Sequence, residues 1–469
     1  MSRQETVPTD QGSPLPLSQR ALTIGICTMT VSIAFESIAV ATAMPVAARD
    51  LNGIAYYAWA FSLFVIGMLL ATVLAGRVCD QIGPSRPLLV GLGVFVVGLV
   101  VAGTAETMVQ LVAGRFVQGL GGGVLNTAMF VTVAKAYRPA QRPRVFTYIS
   151  TAWVLPSFVG PPVSAWLTSH LSWHWVFFAV IPLAVVGGAM VLPTVRVMMR
   201  IPMPEVSAEA SSGLRPAPVW AAFATAVAAA LLQVAGQRLD WWGLALAVAA
   251  VALLVLGLPR LMPPGFLRVG RGLPSVILAR ALLPGAYFGG EAFLPLMLVE
   301  QRQVPLVVAG AMLTVGALGW TTASWLQSQS WLRTRRDRLI TYGTLSVTLG
   351  IAICLVAAVL PQLWFGLVGL GWLFAGFGMG LATASTGLAV MTLTPAGEQG
   401  RNGASLNVGD ALGSGLFVGL TGSIFAALHD TGNLPLTFGA LLAAMIVVGL
   451  AATASSLRIG PVRNDSSAA

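Results

Sequence analysis

Residues 54–105 read IAYYAWAFSLFVIGMLLATVLAGRVCDQIGPSRPLLVGLGVFVVGLVVAGTA. Only three of these residues are charged: Arg77, Asp80 and Arg86. They gather in a short polar loop between two apolar runs, 54–78 and 86–105. A helix needs about 20 apolar residues to cross the hydrocarbon core of a membrane. Each run meets that length, so the stretch predicts a hairpin of two membrane helices with its charge at one surface.

The rest of the chain follows the same plan. Its 469 residues are 56% hydrophobic and 9% charged, with mean hydropathy +0.83. Soluble proteins carry about 25% charged residues. This chain has too few charges to clothe a water-soluble surface, which excludes soluble enzymes and disordered proteins. The net charge of +10 does not point to nucleic acid, because the basic residues form short clusters between apolar runs. Cys27, Cys79 and Cys354 lie in or beside apolar runs and suggest neither a disulfide framework nor a zinc site. The three histidines, His170, His174 and His429, fall at or beside span ends on the expected outer surface. No metal-ligand or nucleotide motif appears, so neither cofactor nor metal is expected, and no enzyme constellation is present.

Fourteen apolar runs are long enough to span: 21–46, 54–78, 86–105, 109–137, 143–169, 174–194, 218–236, 241–258, 274–299, 304–326, 338–359, 362–392, 401–427 and 434–457. Gln237-Arg238-Leu239-Asp240 splits 218–258 into a tight hairpin. With the N-terminus in the cytoplasm, 22 of the 26 basic residues fall on the inner side. Arg49, Arg238 and Arg302 fall outside, and Arg115 lies within a span. This asymmetry predicts both termini inside. The first run is too long for a cleaved signal peptide and contains Glu36.

An offset of 252 residues aligns Gly67 with Gly319, Arg86 with Arg338, Gly91 with Gly343 and Gly98 with Gly350. An offset of 257 aligns Gly119 to Gly123 with Gly376 to Gly380. A duplicated six-span unit is expected, with its site between the halves. The expected organisation is a tail over 1–20, a six-helix bundle over 21–194, and a linker over 195–273 that holds the hairpin 218–258. A second bundle over 274–457 and a tail over 458–469 complete it.

The loop Gly76-Arg77-Val78-Cys79-Asp80-Gln81-Ile82-Gly83-Pro84-Ser85-Arg86 resembles the signature loop of the major facilitator superfamily. Gln81, Pro84 and Ser85 depart from the basic residues usual there. Arg115-Phe116-Val117-Gln118-Gly119 resembles that family's motif in the fourth span. Gly160-Pro161 resembles the core of its antiporter motif, although Pro156, Ser164 and Ala165 replace glycines. Glu36, followed by Ala43 and Pro45, is similar to the acidic motif of drug:proton antiporters. Fourteen spans with a central hairpin resemble the fourteen-helix drug-exporter branch. The resemblance implies an all-α membrane protein with the major facilitator fold, two six-helix bundles plus an inserted hairpin. It implies a transporter in the inner (plasma) membrane that works as a monomer and contributes to antibiotic resistance. Its partners would be protons, the bilayer and a lipophilic, often cationic small molecule. A dedicated exporter of one metabolite, lipid or antibiotic is an alternative, as is an importer or uniporter.

Glu36 and Glu291 fall mid-way along their spans, where ionisable groups are costly and by default functional. An acid there is what a proton carrier requires; the structural alternative is a hydrogen bond between helices. Arg115 must find an acceptor inside its span, and the resemblance implies for it a role in proton transfer or in holding the first-half helices. Asp410 could meet Asp80 or Arg86 across the halves, or line the inner vestibule. Gly76, Asp80, Gly83 and Arg86 read as a cytoplasmic gate, the glycines permitting close approach. Gly119 and Gly123 read as helix packing, as do Gly160 and Pro161. Trp59, Trp153, Trp320 and Trp372 are candidate cavity aromatics for flat cations, or interfacial anchors.

Overall fold

The computed structural model describes residues 17–138, 141–200, 218–238, 240–329, 334–394 and 399–462. The described residues are helical apart from loops and turns. The first half holds α1 (Leu17–Asp50), α2 (Trp59–Ile82), α3 (Ser85–Gly103), α4 (Met108–Ala136), α5 (Arg142–Thr151), α6 (Val154–His170), α7 (His174–Phe178) and α8 (Val180–Arg200). The hairpin is α9 (Val219–Gly236) and α10 (Trp241–Leu261). The second half holds α11 (Leu273–Glu291), α12 (Leu294–Glu300), α13 (Leu306–Ser328), α14 (Arg336–Val359), α15 (Gly366–Leu393), α16 (Gln399–His429) and α17 (Leu434–Ser456).

Thirteen stretches are long and apolar enough to cross a membrane. The fourteenth expected run, 143–169, is built from α5 and α6, each too short to cross alone. Three expected runs are in fact broken in this way, and a proline follows each break four residues on. A proline removes the hydrogen bond to the carbonyl four residues earlier and clashes with it. Pro156 acts on Ala152, between α5 and α6. Pro182 acts on Phe178, the end of α7, and Pro295 acts on Glu291, the end of α11.

The two halves repeat one packing scheme. A Cβ on Gly119 would collide with the carbonyl of Phe64, and one on Gly376 with the carbonyl of Gly316. Gly121 abuts the backbone nitrogen of Phe95, and Gly378 that of Val347. Gly123 meets the Met68 carbonyl, and Gly380 that of Trp320. Partners on the second and third spans shift by 252 and the glycines of the fourth by 257. The duplication expected from the sequence therefore recurs contact by contact. Glycine is required at these positions because two backbones touch.

Elsewhere, polar side chains close helix ends. Asp240 accepts from the Gly243 amide at 2.8 Å and Asn433 from that of Leu436 at 3.1 Å, capping α10 and α17. Arg302 donates to the carbonyls of Pro361 and Leu363, each at 2.6 Å, and also to that of Ala357. It thereby ties the loop after α12 to the last turn of α14, where a cation is also favoured by the helix dipole.

Residues 458–462, expected as part of a tail, are held to the bundle. The Val462 amide donates to Asp337 at 3.0 Å, and the Gly272 amide to the Arg458 carbonyl at 3.2 Å. Both described ends of the chain lie at one end of the bundle, the terminal end. Asp50, His170 and His429 lie at the opposite, far end.

Candidate functional site

Glu36, on α1, is fully buried and forms an ion pair with the buried Arg115 of α4. The guanidinium also donates to the Ala60 carbonyl at 2.9 Å and to Gln118 Oε1 at 2.7 Å, and lies 4.3 Å from the centre of the Phe64 ring. Arg115 is thus surrounded by acceptors from α1, α2 and its own helix. This satisfies the acceptor requirement read from the sequence and identifies the acceptor as Glu36.

Glu291 is the last residue of α11, four residues before Pro295. It is partly buried, and the phenol of Tyr287 and the indole of Trp372 face its carboxyl. Tyr287 stacks on Trp372 with ring centres 4.6 Å apart and meets Trp320 edge-on at 5.9 Å. Gly316 makes the room: a Cβ there would stand 2.8 Å from Trp372 Nε1 and 3.2 Å from the Tyr287 hydroxyl. The two acids occupy corresponding places. The 257 offset carries Arg115 to Trp372, and the 252 offset carries Glu36 to within one turn of Glu291. The first half offers its acid an arginine, and the second half offers an indole and a phenol.

The break after Glu291 is also where the halves meet. Tyr57, fully buried, donates from its hydroxyl to the Ala292 carbonyl at 2.6 Å. Its ring lies 5.1 Å from that of Phe293, which lies 5.1 Å from Phe425. Beyond this aromatic layer, Arg49 Nε reaches Glu300 Oε1 at 2.5 Å. These contacts seal the far end. A cavity of about 450 Å³ outside the seal is lined by Arg49, Asn52, Phe425 and His429, among others.

The remaining expected residues are dispersed. Asp410 pairs with Arg280 of α11 at 3.0 Å, within its own half rather than across to Arg86. Arg86 is exposed at the start of α3; the side chain of Asp80 lies outside the described ones. Gly83 ends α2 with φ 78°, a conformation that favours glycine, whereas among the described residues no atom lies within 4 Å of a Cβ placed on Gly76. The close approach expected at Gly76 is therefore not made. Gly160 packs on Ile38 of α1, and the Pro161 carbonyl faces Gly310 of α13. Ser164 donates to the Ala39 carbonyl at 2.6 Å, so small residues carry that helix contact without the usual glycines. Trp320 and Trp372 join Glu291; Trp59 starts α2, and Trp153 is exposed beside the break before α6. Tyr287 and Phe293 were not singled out from the sequence. The spacing of Glu291 and Pro295 was the available signal for them, and a weak one.

Comparison with known proteins follows the same lines. Over 166 residues the chain is 30% identical to multidrug resistance protein 3 of Bacillus subtilis, covering 35% of this chain and 32% of that protein. Over 292 residues it is 23% identical to the multidrug efflux pump SdrM of Staphylococcus aureus, covering 62% and 64%. The match thus spans about a third of the first relative's length. A crystal structure of a mutant of a peptide transporter POT in complex with sulfate superposes with TM-score 0.68 at 16% identity, over 94% of this chain and 95% of that one, a likeness of fold. The model of the Major Facilitator Superfamily matches residues 24–418, and the chain belongs to that superfamily of membrane transporters.

Proposed function

We propose that this protein exports lipophilic, chiefly cationic small molecules in exchange for protons, by alternating access between its two halves. One observation carries the reading. Of two acids at corresponding places, Glu36 is neutralised by Arg115, while among the described residues Glu291 faces the neutral side chains of Tyr287 and Trp372. Glu291 is then the group free to exchange its charge. Beside it, Tyr287, Trp320 and Trp372 offer aromatic surface that attracts cations. A carboxylate in such a setting accepts a proton or an organic cation, but not both at once, which is the logic of exchange. The multidrug relatives support this substrate class.

Coupling to the seal follows from adjacency. The carbonyl that Tyr57 holds belongs to the residue after Glu291. A change of charge or ligand at Glu291 acts next to the hydrogen bond that joins the halves. With both termini in the cytoplasm, as the arginine distribution argues, the far end faces outward in the plasma membrane. One monovalent cation exchanged for one proton moves no net charge, so the drive is about 1.4 kcal/mol per pH unit. A neutral substrate adds about 2.3 kcal/mol per 100 mV for each proton that enters.

The test uses inside-out vesicles, a fluorescent lipophilic cation and an imposed pH gradient, acid inside. Wild type is expected to accumulate the dye, and Glu291→Gln, which mimics the protonated carboxyl, to bind it weakly and to show no gradient-driven accumulation. Undiminished accumulation by Glu291→Gln would remove the assignment.

A further inference from the structure

The halves meet along two seams. In one, α2 lies against α16; in the other, α6 lies against α13. The internal repeat makes the seams equivalent, because α13 repeats α2, and α6 and α16 belong to the fifth span of each half. They are nevertheless covered differently. Helix α9 packs on α2 and on α16 together, with α10 against its outer side. Its inner face is largely alanine, with Ala222, Ala226 and Ala229 buried, so the helix lies close in.

Gln233 of α9 marks the contact. It is 2% exposed, and its Oε1 accepts from Ser62 of α2 at 2.5 Å. Gly419 of α16 leaves room for it: a Cβ there would stand 3.3 Å from the same oxygen. One turn further on, Gly236 lies directly against Ser423 of α16. A buried amide is costly unless bonded, so the Ser62 bond holds the hairpin on the first half while small residues seat it on the second.

Among the described residues, the α6/α13 seam has no such cover. The helices packed on α6 and α13 belong to the two bundles. Leu155 is 59% exposed and Val159 41% on α6, and Val307 and Leu318 are exposed on α13. The seam closes through Gly310, which lies against Thr42 and the Pro161 carbonyl. Its fifth span is broken ahead of Pro156, whereas α16 in the covered seam runs unbroken for 31 residues. One seam has a continuous, clasped helix, and the other a jointed, bare one.

We propose that the α9–α10 hairpin shuts the α2/α16 seam to lipid, so that bilayer-dissolved substrate enters between the halves only through the α6/α13 seam. The proposal rests on the export of lipophilic compounds proposed above, because such compounds concentrate in the membrane. The hairpin side stays clasped as the halves rock, and the opposite side parts.

Two measurements test it in the same vesicles. With Cys27, Cys79 and Cys354 replaced by serine, cysteine pairs are placed at Ser62 with Gln233 and at Thr42 with Gly310. Oxidation of the first pair is expected to leave dye uptake in place. Oxidation of the second is expected to abolish it, with recovery on reduction. Independently, a photoreactive lipophilic cation is expected to label α6 and α13 of the unmodified protein in a way that excess unreactive cation suppresses. Suppressible labelling of α9, α2 or α16, or loss of uptake on joining Ser62 to Gln233, overturns the seam assignment while export stands. No dye uptake by the unmodified protein overturns export itself, and the seam assignment with it.

Discussion

Arg115 and Glu36 show how one side chain's energetics depend on its partner. Both are buried, and each would be an uncompensated charge without the other. Removing one member of such a pair costs about 3–5 kcal/mol, whereas replacing both with neutral groups is often tolerated. Arg115→Met is therefore expected to lower the thermal unfolding temperature sharply, and adding Glu36→Gln to recover most of the loss, read by unfolding in detergent. Equal instability of the single and double variants would show that the pair is not coupled. Tyr57 makes a smaller, more directed contribution. Tyr57→Phe keeps the ring packing on Phe293 and deletes the bond to Ala292. A hydrogen bond contributes about 0.5–1.5 kcal/mol net, so the far end is expected to open more often, seen as longer distances between spin labels placed across it. At this scale the sequence showed which residues were out of place in lipid, but not whom they met. Arg115 plainly needed an acceptor, yet Glu36 is 79 positions away. Asp410 found Arg280 rather than the opposite half, because α11 and α16 are neighbours within one bundle.

Helices were legible where backbone chemistry alone decides. Apolar runs set the spans, and Gln237 to Asp240 marked the hairpin turn, which forms between α9 and α10. Glycine spacing announced the duplication because each of those glycines touches another helix's backbone, a constraint that tolerates no side chain. The breaks were not legible: hydropathy hides them, since proline in an apolar run leaves the run apolar, and Pro45, Pro161, Pro193 and Pro284 lie inside helices that continue. The same reasoning separates two glycines on α15. Gly376 faces the Gly316 carbonyl, whereas among the described residues nothing lies within 4 Å of a Cβ on Gly387. Gly376→Ala forces the helices apart at a cost of about 1–3 kcal/mol. Gly387→Ala is expected to be neutral or to stabilise by roughly 0.5–1 kcal/mol through helix propensity. Thermal unfolding of the two variants side by side checks both signs. A destabilised Gly387→Ala would mean that this face meets a partner.

At the scale of the whole molecule, scarce charge is divided between topology and mechanism, and the far end shows how the halves are joined. Arg49 with Glu300 lies at the rim and Tyr57 with Ala292 beneath it, both pairs crossing from one half to the other. An exposed ion pair contributes about 0–1 kcal/mol, too little to hold the halves shut alone. The rim therefore yields easily once the buried layer lets go, as a reversible seal must. Alternating access requires that this seal open in every cycle. Joining Arg49→Cys to Glu300→Cys, in the background without native cysteines, removes that step and leaves the terminal end untouched. Oxidation is expected to abolish dye accumulation while dye added from the terminal side still binds, and reduction is expected to restore transport. Binding read by fluorescence anisotropy separates this outcome from simple inactivation. Continued transport by the oxidised protein would mean that substrate leaves without the far ends of the halves parting.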